Sequence, residues 1–458
     1  MDMQDNKRVN WGSRLSFILV SAGATIGFGN IWRFPYLVGQ NGGGAFLFLF
    51  LLCILTIGIP LLVAEMVIGR RRSANAIDAF IIESKHSNRW KFIGYLAALG
   101  AFSIMAYYTV LAGWVMAYAY FVATGELALG TEVARSSYRV FFTEFIQNPL
   151  EVLAFTALFM LVNHLILAFD IRKGIEKVAN KLMPVLFLII LVMIARAVTL
   201  EGAMEGVIFY LKPDLSKINF STLLLALGQT FFSLSIGFGV LITLSSYLDK
   251  KTNLLSSAVW IVSLDTLVAV LAGFILFPSI FAFGLDPAAG TSLIFEALPI
   301  VFSQMWMGRI FTCLFFSILI IAALTTSLTI FEVLIAILVE KLKISRKNGS
   351  RIVLVTVFLL GSIPSALSES TFNHVRILGK NIFDFYDYFS GNILFVSTAF
   401  LMTLFIGWVI PKQALEELKT SQEHTNPFWI KSWFFLIRYI IPWIILVIFL
   451  KGLSDNLA

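Results

Sequence analysis

Two glycine-flanked phenylalanines, Gly27-Phe28-Gly29 and Gly237-Phe238-Gly239, interrupt stretches that otherwise read as unbroken apolar helix. A glycine costs a helix about 1 kcal/mol relative to alanine, so pairs of them at mid-segment demand a reason. The demand is sharper in lipid, where each freed N–H and C=O must find a partner within protein or beside a polar cavity. Interruptions at corresponding places in two halves of a membrane chain point to the binding site of a carrier, because unwound backbone can supply ligands.

Composition places the chain in a bilayer. Of its 458 residues 59% are hydrophobic and only 13% are charged, against roughly 25% charged in a soluble domain. Candidate spans of about 20 apolar residues begin near Trp11, Ala45, Phe92, Leu150, Gly174, Phe220, Leu254, Ile310, Ile352, Asn392 and Phe428. That makes eleven. The net charge of +7 might suggest nucleic acid, but its placement argues against that partner. Lys7, Arg8 and Arg14 precede the first span, and Arg70, Arg71 and Arg72 follow the second. Arg172 and Lys173 follow the fourth, Lys250 and Lys251 the sixth, and Lys341, Lys343 and Arg346 the eighth. All fall on one side, and positive charge in short loops marks the cytoplasm. The expectation is a multi-pass plasma-membrane protein with its N-terminus inside and its C-terminus outside. The polar first dozen residues run straight into the first span, so no cleavable signal peptide is expected. Cys53 and Cys313 sit in apolar segments and read as small buried hydrophobes, not as a disulfide.

No linker divides the chain, so a single transmembrane domain is expected. Spans one to five (about 11–198) and six to ten (about 218–410) read as two repeats, each opened by a broken helix. An odd number of spans inverts the second repeat relative to the first, and an extra helix covers about 428–450. In the fifth span Gly174 loosens the helix, while Pro184 removes a donor and clashes with the preceding turn. Either an ordinary kink or a local unwinding that admits water is expected there.

Longer motifs now become informative. The run from Ala22 to Pro35, followed by Asn41-Gly42-Gly43-Gly44-Ala45-Phe46, resembles the first-helix signature of the neurotransmitter:sodium symporters. Glu65-Met66-Val67-Ile68-Gly69-Arg70, the run from Gln229 to Gly239, and Gly174-x9-Pro184 agree with the same family along essentially the whole chain. The resemblance implies an all-α integral membrane protein of LeuT fold, a five-plus-five inverted repeat with broken helices one and six. It further resembles the bacterial amino-acid branch with about eleven transmembrane helices, because no twelfth span follows Leu450.

Sodium, a hard cation like calcium, prefers oxygen ligands. The resemblance implies two sodium ions and no organic cofactor. One ion would be held by the carbonyl of Thr25, the side chains of Asn30, Ser233 and Asp265, and the substrate carboxylate. The other would take carbonyls of Gly23, Ile26 and Ala322 with hydroxyls of Thr325 and Thr326. The Thr325-Thr326-Ser327 cluster fits an ion site on composition too, although such hydroxyls often only bond the preceding turn. An acid in an apolar helix is by default functional, which singles out Asp265. Animal members that resemble this chain carry asparagine there, beside a chloride. An aspartate could supply that negative charge, so chloride-independent transport is expected, with Asp265 a candidate to take up a proton on the return step.

Half-helix N-termini favour a carboxylate. Gly27 and Gly29 would let it approach the backbone, Tyr108 would bond it, and exposed carbonyls near Phe232 and Ser235 would accept from an ammonium. Monoamine carriers that resemble this chain place an aspartate where Gly27 stands, so an amino acid is the expected substrate. Ala24, Ile104, Phe232, Phe238, Thr326 and Ile330 would line an uncharged side-chain pocket, suited to aliphatic and aromatic amino acids. Similar family members pair Arg33 with Asp387, which opens the tenth span here, above a lid of Tyr108 and Phe238 or Phe232. Arg8, Trp11, Tyr247 and Glu340 occupy the inner latch positions. Glu65 and Glu332 are expected to bond broken-helix backbone, with the inner pathway as the alternative for Glu332. A proton-driven or exchange permease of the same fold is the competing reading. An enzyme is disfavoured, because the four histidines are scattered and no nucleophile elbow or phosphate loop occurs.

Overall fold

The computed structural model describes residues 10–83, 89–127, 135–284, 295, 297–420 and 427–454. Helix α1, Arg14–Thr25, starts where Ser13 accepts from the Ser16 N–H, and it stops at the extended Ile26. The chain resumes as α2, Gly29–Gln40, bent by 57° from α1. The first interruption therefore exists as the glycines require.

Four long helices follow: α3 (Gly44–Arg72), α4 (Lys91–Thr124), α5 (Pro149–Leu167) and α6 (Arg172–Ala197). Within α6, Gly174 sits in a π-turn over Arg172–Glu176, and Pro184 lies inside continuous helix. No unwinding occurs at this point; the wider π-turn absorbs the strain. The second interruption separates α7 (Phe220–Ser233) from the six-residue α8 (Val240–Ser245). Ser235, Gly237 and Gly239 between them have φ of 52°, 96° and 73°. Left-handed backbone excludes helical continuation, and glycine tolerates it without steric cost.

The remaining spans are α9 (Leu254–Ala282), α10 (Gly308–Leu342), α11 (Arg346–Ala366) and α12 (Ile382–Val409). The short α13 (Pro411–Thr420) and the final α14 (Phe428–Ser454) complete the described chain. Counting α1 with α2 and α7 with α8 as single broken spans gives eleven among the described residues. Helices α11 and α12 begin at Arg346 and Ile382, earlier than their apolar cores near Ile352 and Asn392, because charged residues (Arg346, Lys347 and Arg351 in one, Asp384 and Asp387 in the other) interrupt the apolar run there but not the helix. Asp387 is consequently inside α12 rather than at its start.

Helices α4 and α10 form the centre, with 78% and 83% of their apolar windows buried. By contrast α6 and α14 bury only 28% and face lipid. One end of the bundle gathers the basic residues. There Arg70 pairs with Glu417 of α13 at 2.7 Å, Lys341 with Asp78, and Arg172 donates to the carbonyl of Asn10. We call this the basic end, and the opposite one the vestibule end.

Candidate functional site

The two breaks face each other. Ser235 Oγ donates to the carbonyl of Ala24 at 3.3 Å, and Gln229 Nε2 donates to the carbonyl of Gly29 at 2.8 Å. A Cβ added at Gly29 would sit 2.8 Å from the Phe232 ring, so only glycine allows this approach.

Beside the first break lies a buried carboxylate. Asp265 of α9 is fully inaccessible, its Oδ1 accepting from Asn30 Nδ2 at 2.9 Å and its Oδ2 from Ser233 Oγ at 2.7 Å. Asn30 Nδ2 also lies 3.1 Å from Ser233 Oγ, and Asn30 Oδ1 accepts from the Gly27 N–H at 3.3 Å. Thr25 follows on α1, its hydroxyl turned to the carbonyl of Ala22. Asp265 forms no ion pair among the described residues. These bonds fix the register of α9 at Asp265, and Gly273 two turns on accommodates the Tyr210 ring. A buried anion without a counter-ion is costly, so neutral oxygens around it suit a mobile cation.

A second oxygen cluster joins α1 to α10. Thr326 Oγ1 is 3.2 Å from the carbonyl of Gly23 and 3.1 Å from that of Ile26. Thr325 Oγ1 is 3.0 Å from the carbonyl of Ile321 and 3.1 Å from that of Ala322. Each hydroxyl carries one proton, so lone pairs remain on the carbonyls for a hard cation. Ser327, the third member of the run, turns away and donates to Asn163 of α5 at 2.8 Å.

Between these clusters the Tyr108 hydroxyl of α4 is buried without a hydrogen-bond partner. A Cβ at Gly27 would meet it at 3.0 Å, and Thr326 Oγ1 at 3.0 Å. Tyr108 thus aims a free donor at the first break. Ile104 and Ile330 are buried on α4 and α10. Phe238 is buried too, but it packs against Phe395 and Gly100 and does not cover the breaks. Of the two lid residues considered, Phe232 is the one placed over the site.

Above it a cavity of about 190 Å³ opens toward the vestibule end, lined by Phe28, Arg33, Tyr107, Tyr108, Phe232 and Asp387 among others. The expected Arg33–Asp387 pair is not formed. Arg33 donates to Gln229 Oε1 at 2.8 Å and lies 4.6 Å from the Phe232 ring centre, because the cavity stands between the two charges.

At the basic end Trp11 donates from its indole to the carbonyl of Leu244 at 3.0 Å and stands edge-on to Tyr247. The Tyr247 hydroxyl donates to Glu332 at 3.0 Å, and Arg346 grips the same carboxylate at 2.9 and 2.6 Å. Glu332 therefore belongs to the closure at the basic end and, among the described residues, bonds no broken-helix backbone. Glu65 does bond broken-helix backbone, accepting from the Gly237 N–H at 2.8 Å. Glu340 accepts from Asn75, and Arg8 lies outside the described residues. Sequence reasoning had not singled out Gln229, Phe28 and Arg346. Gln229 alone carried a signal, as an amide within an apolar helix.

A polytopic helical bundle whose paired broken helices surround buried oxygens and an unpartnered hydroxyl is a membrane transporter. Comparison with known proteins narrows this. The description "Sodium:neurotransmitter symporter family" fits residues 8–137 and 137–456. An "Uncharacterized sodium-dependent transporter" of Haemophilus influenzae is 49% identical over 99% of this chain and 100% of its own length. The similarly named YhdH of Bacillus subtilis is 38% identical, covering 98% of each chain. Among solved structures, MhsT in complex with L-phenylalanine superposes with a TM-score of 0.87 at 38% identity, over 97% of this chain and 100% of that one. The chain belongs to the sodium:neurotransmitter symporter family. It is a sodium-dependent transporter of LeuT fold, not an enzyme.

Proposed function

We propose that this protein couples inward movement of sodium to import of hydrophobic L-amino acids, aliphatic or aromatic, without requiring chloride. The observation that carries the reading is Asp265: a fully buried carboxylate met only by neutral donors, next to broken backbone. A sodium ion there would take oxygens of Thr25, Asn30, Ser233 and Asp265 together with the substrate carboxylate. A second would take Gly23, Ile26, Ala322, Thr325 and Thr326. Because Asp265 supplies the negative charge, no anion is needed beside the first ion. Tyr108 and the N–H groups after Gly27 would hold the substrate carboxylate, and Phe232 would close over its side chain. The phenylalanine bound to MhsT supports this substrate class.

The coupling follows from linkage. A ligand shifts a conformational equilibrium only by its difference in affinity between the states. Sodium bridging α1, α2, α7, α9 and α10 would favour the arrangement closed at the basic end, through Trp11, Tyr247, Glu332 and Arg346, with the vestibule open. In this reading the basic end is cytoplasmic. The inverted halves, about 11–198 and 218–410, rock about the site, while α14 stays peripheral.

Uptake of a labelled amino-acid panel into proteoliposomes tests the proposal, with sodium exchanged for potassium and chloride for gluconate. Hydrophobic amino acids should accumulate only in sodium and equally well in gluconate. Accumulation unchanged in potassium would overturn the coupling, and collapse in gluconate would overturn the role given to Asp265.

A further inference from the structure

The last span carries an arginine for which the described residues provide no counter-ion. Arg438 is ten residues beyond Phe428, the first residue of α14, about 15 Å along the helix at 1.5 Å per residue. Its neighbours Phe434, Phe435, Leu436, Ile437, Tyr439 and Ile440 are apolar or aromatic. A charge in such a segment is costly, and as a rule it pairs with an acid or marks a ligand site. Arg438 forms no ion pair and no hydrogen bond among the described residues, and its Nε is buried without a partner. It is framed by aromatic rings instead, 4.4 Å from the centre of Trp408, 5.2 Å from Tyr439 and 5.7 Å from Phe434. Ring faces attract the cation, but they leave five N–H donors without acceptors.

The backbone is shaped around this group. A Cβ at Gly407 of α12 would lie 3.1 Å from the Arg438 Cα and 3.3 Å from its Cβ and Cγ, so glycine brings α12 and α14 into contact and packs the arginine stem. Both helices widen into π-turns here, Phe405–Val409 and Leu436–Ile440, and such turns concentrate at functional positions. The cradle opens outward, since Trp408 is 56% and Tyr439 47% exposed. In a bilayer these amphipathic rings belong at headgroup level.

From this we infer that Trp408, Arg438 and Tyr439 form a binding site for the phosphate of an anionic phospholipid. A guanidinium and a phosphate diester match as a two-bond fork. The single positive charge favours a headgroup with net negative charge over a zwitterionic one, which brings its own cation. The acyl chains would lie along the exposed side of α14.

The test uses the full-length protein in neutral detergent, with phosphatidylglycerol, with phosphatidylcholine of identical chains, or with inorganic phosphate, and counts bound molecules by native mass spectrometry. Phosphatidylglycerol should be retained about tenfold better than phosphatidylcholine, given charge-assisted bonds, and inorganic phosphate should not displace it. Arg438→Gln should bring the two lipids to parity. Arg438→Lys, which keeps the charge at a buried stem, should keep part of the preference and serves if the first variant does not fold. Arg351→Gln, removing an exposed cation on α11, should change nothing. An undiminished preference in both Arg438 variants would overturn the site. Displacement by inorganic phosphate, or a wild-type dimer that dissolves in Arg438→Gln, would equally do so, the latter by revealing a second copy as the counter-ion.

Discussion

Buried carboxylates at the basic end and at the centre of this bundle are treated in opposite ways. Glu417 is 5% exposed and meets the fully buried guanidinium of Arg70, with Lys250 3.3 Å away; Glu332 is gripped by Arg346. Lys250 pays for its place there, since burial lowers its pKa although Glu417 pulls the other way. At the centre Asp265 meets neutral amide and hydroxyl groups and no cation among the described residues, and Glu65 caps the backbone before α8 through Gly237. Where the protein owns both charges the pair needs nothing from outside, and stranding one partner carries a cost. Where it owns one, as at Asp265, the missing charge is the one we propose sodium brings. The difference marks which acid can serve a transported cation.

Four experiments would break or sharpen that contrast. The largest effect is expected from Glu417→Ala, which strands Arg70 inside the protein. A loss of about 3–5 kcal/mol in stability, read from unfolding in detergent, is expected in sodium or potassium alike. Next comes Asp265→Asn. In sodium-free buffer it should be no less stable than the wild type, because it removes an uncompensated charge, while the half-saturating sodium concentration should rise about a hundredfold, or about 2.7 kcal/mol. A sodium response like that of the wild type would erase the distinction between the two regions. Thr326→Val removes one hydroxyl from the second cluster and should weaken sodium binding about tenfold, near the value of a hydrogen bond to a charged group. Smallest is Tyr108→Phe, for which amino-acid affinity should fall about fivefold, with sodium-induced stabilisation unaltered. Equal losses for sodium and amino acid in that variant would show that Tyr108 supports the fold and does not touch substrate.

Much of the architecture was legible in the chain. The glycine pairs located both interruptions, and hydropathy located the spans, because lipid forces backbone to satisfy itself within each segment. Span ends were less legible, since the charged residues near the starts of α11 and α12 break the apolar run without breaking the helix. Gly174 and Pro184 marked a weak point in the fifth span, but neither the absence of unwinding nor the π-turn at Gly174 could be read from them. At the site, Thr325 and Thr326 could be separated from Ser327 only by helical phase against α1 and α5. Phe232 and Phe238 were equivalent as letters. They differ because Gly237 lies against the Phe395 backbone and turns Phe238 away from the breaks.

By itself the sequence determined where backbone cannot continue as helix and which rare polar groups must lie in lipid. Both are local consequences of glycine conformation and desolvation. Only the tertiary structure decided which polar groups meet: Arg346 with Glu332, Arg33 with Gln229 instead of Asp387, and Asp265 with no cation among the described residues. Those outcomes depend on helix phase and crossing, across 196 residues of chain for Arg33 and Gln229, and no local preference encodes them.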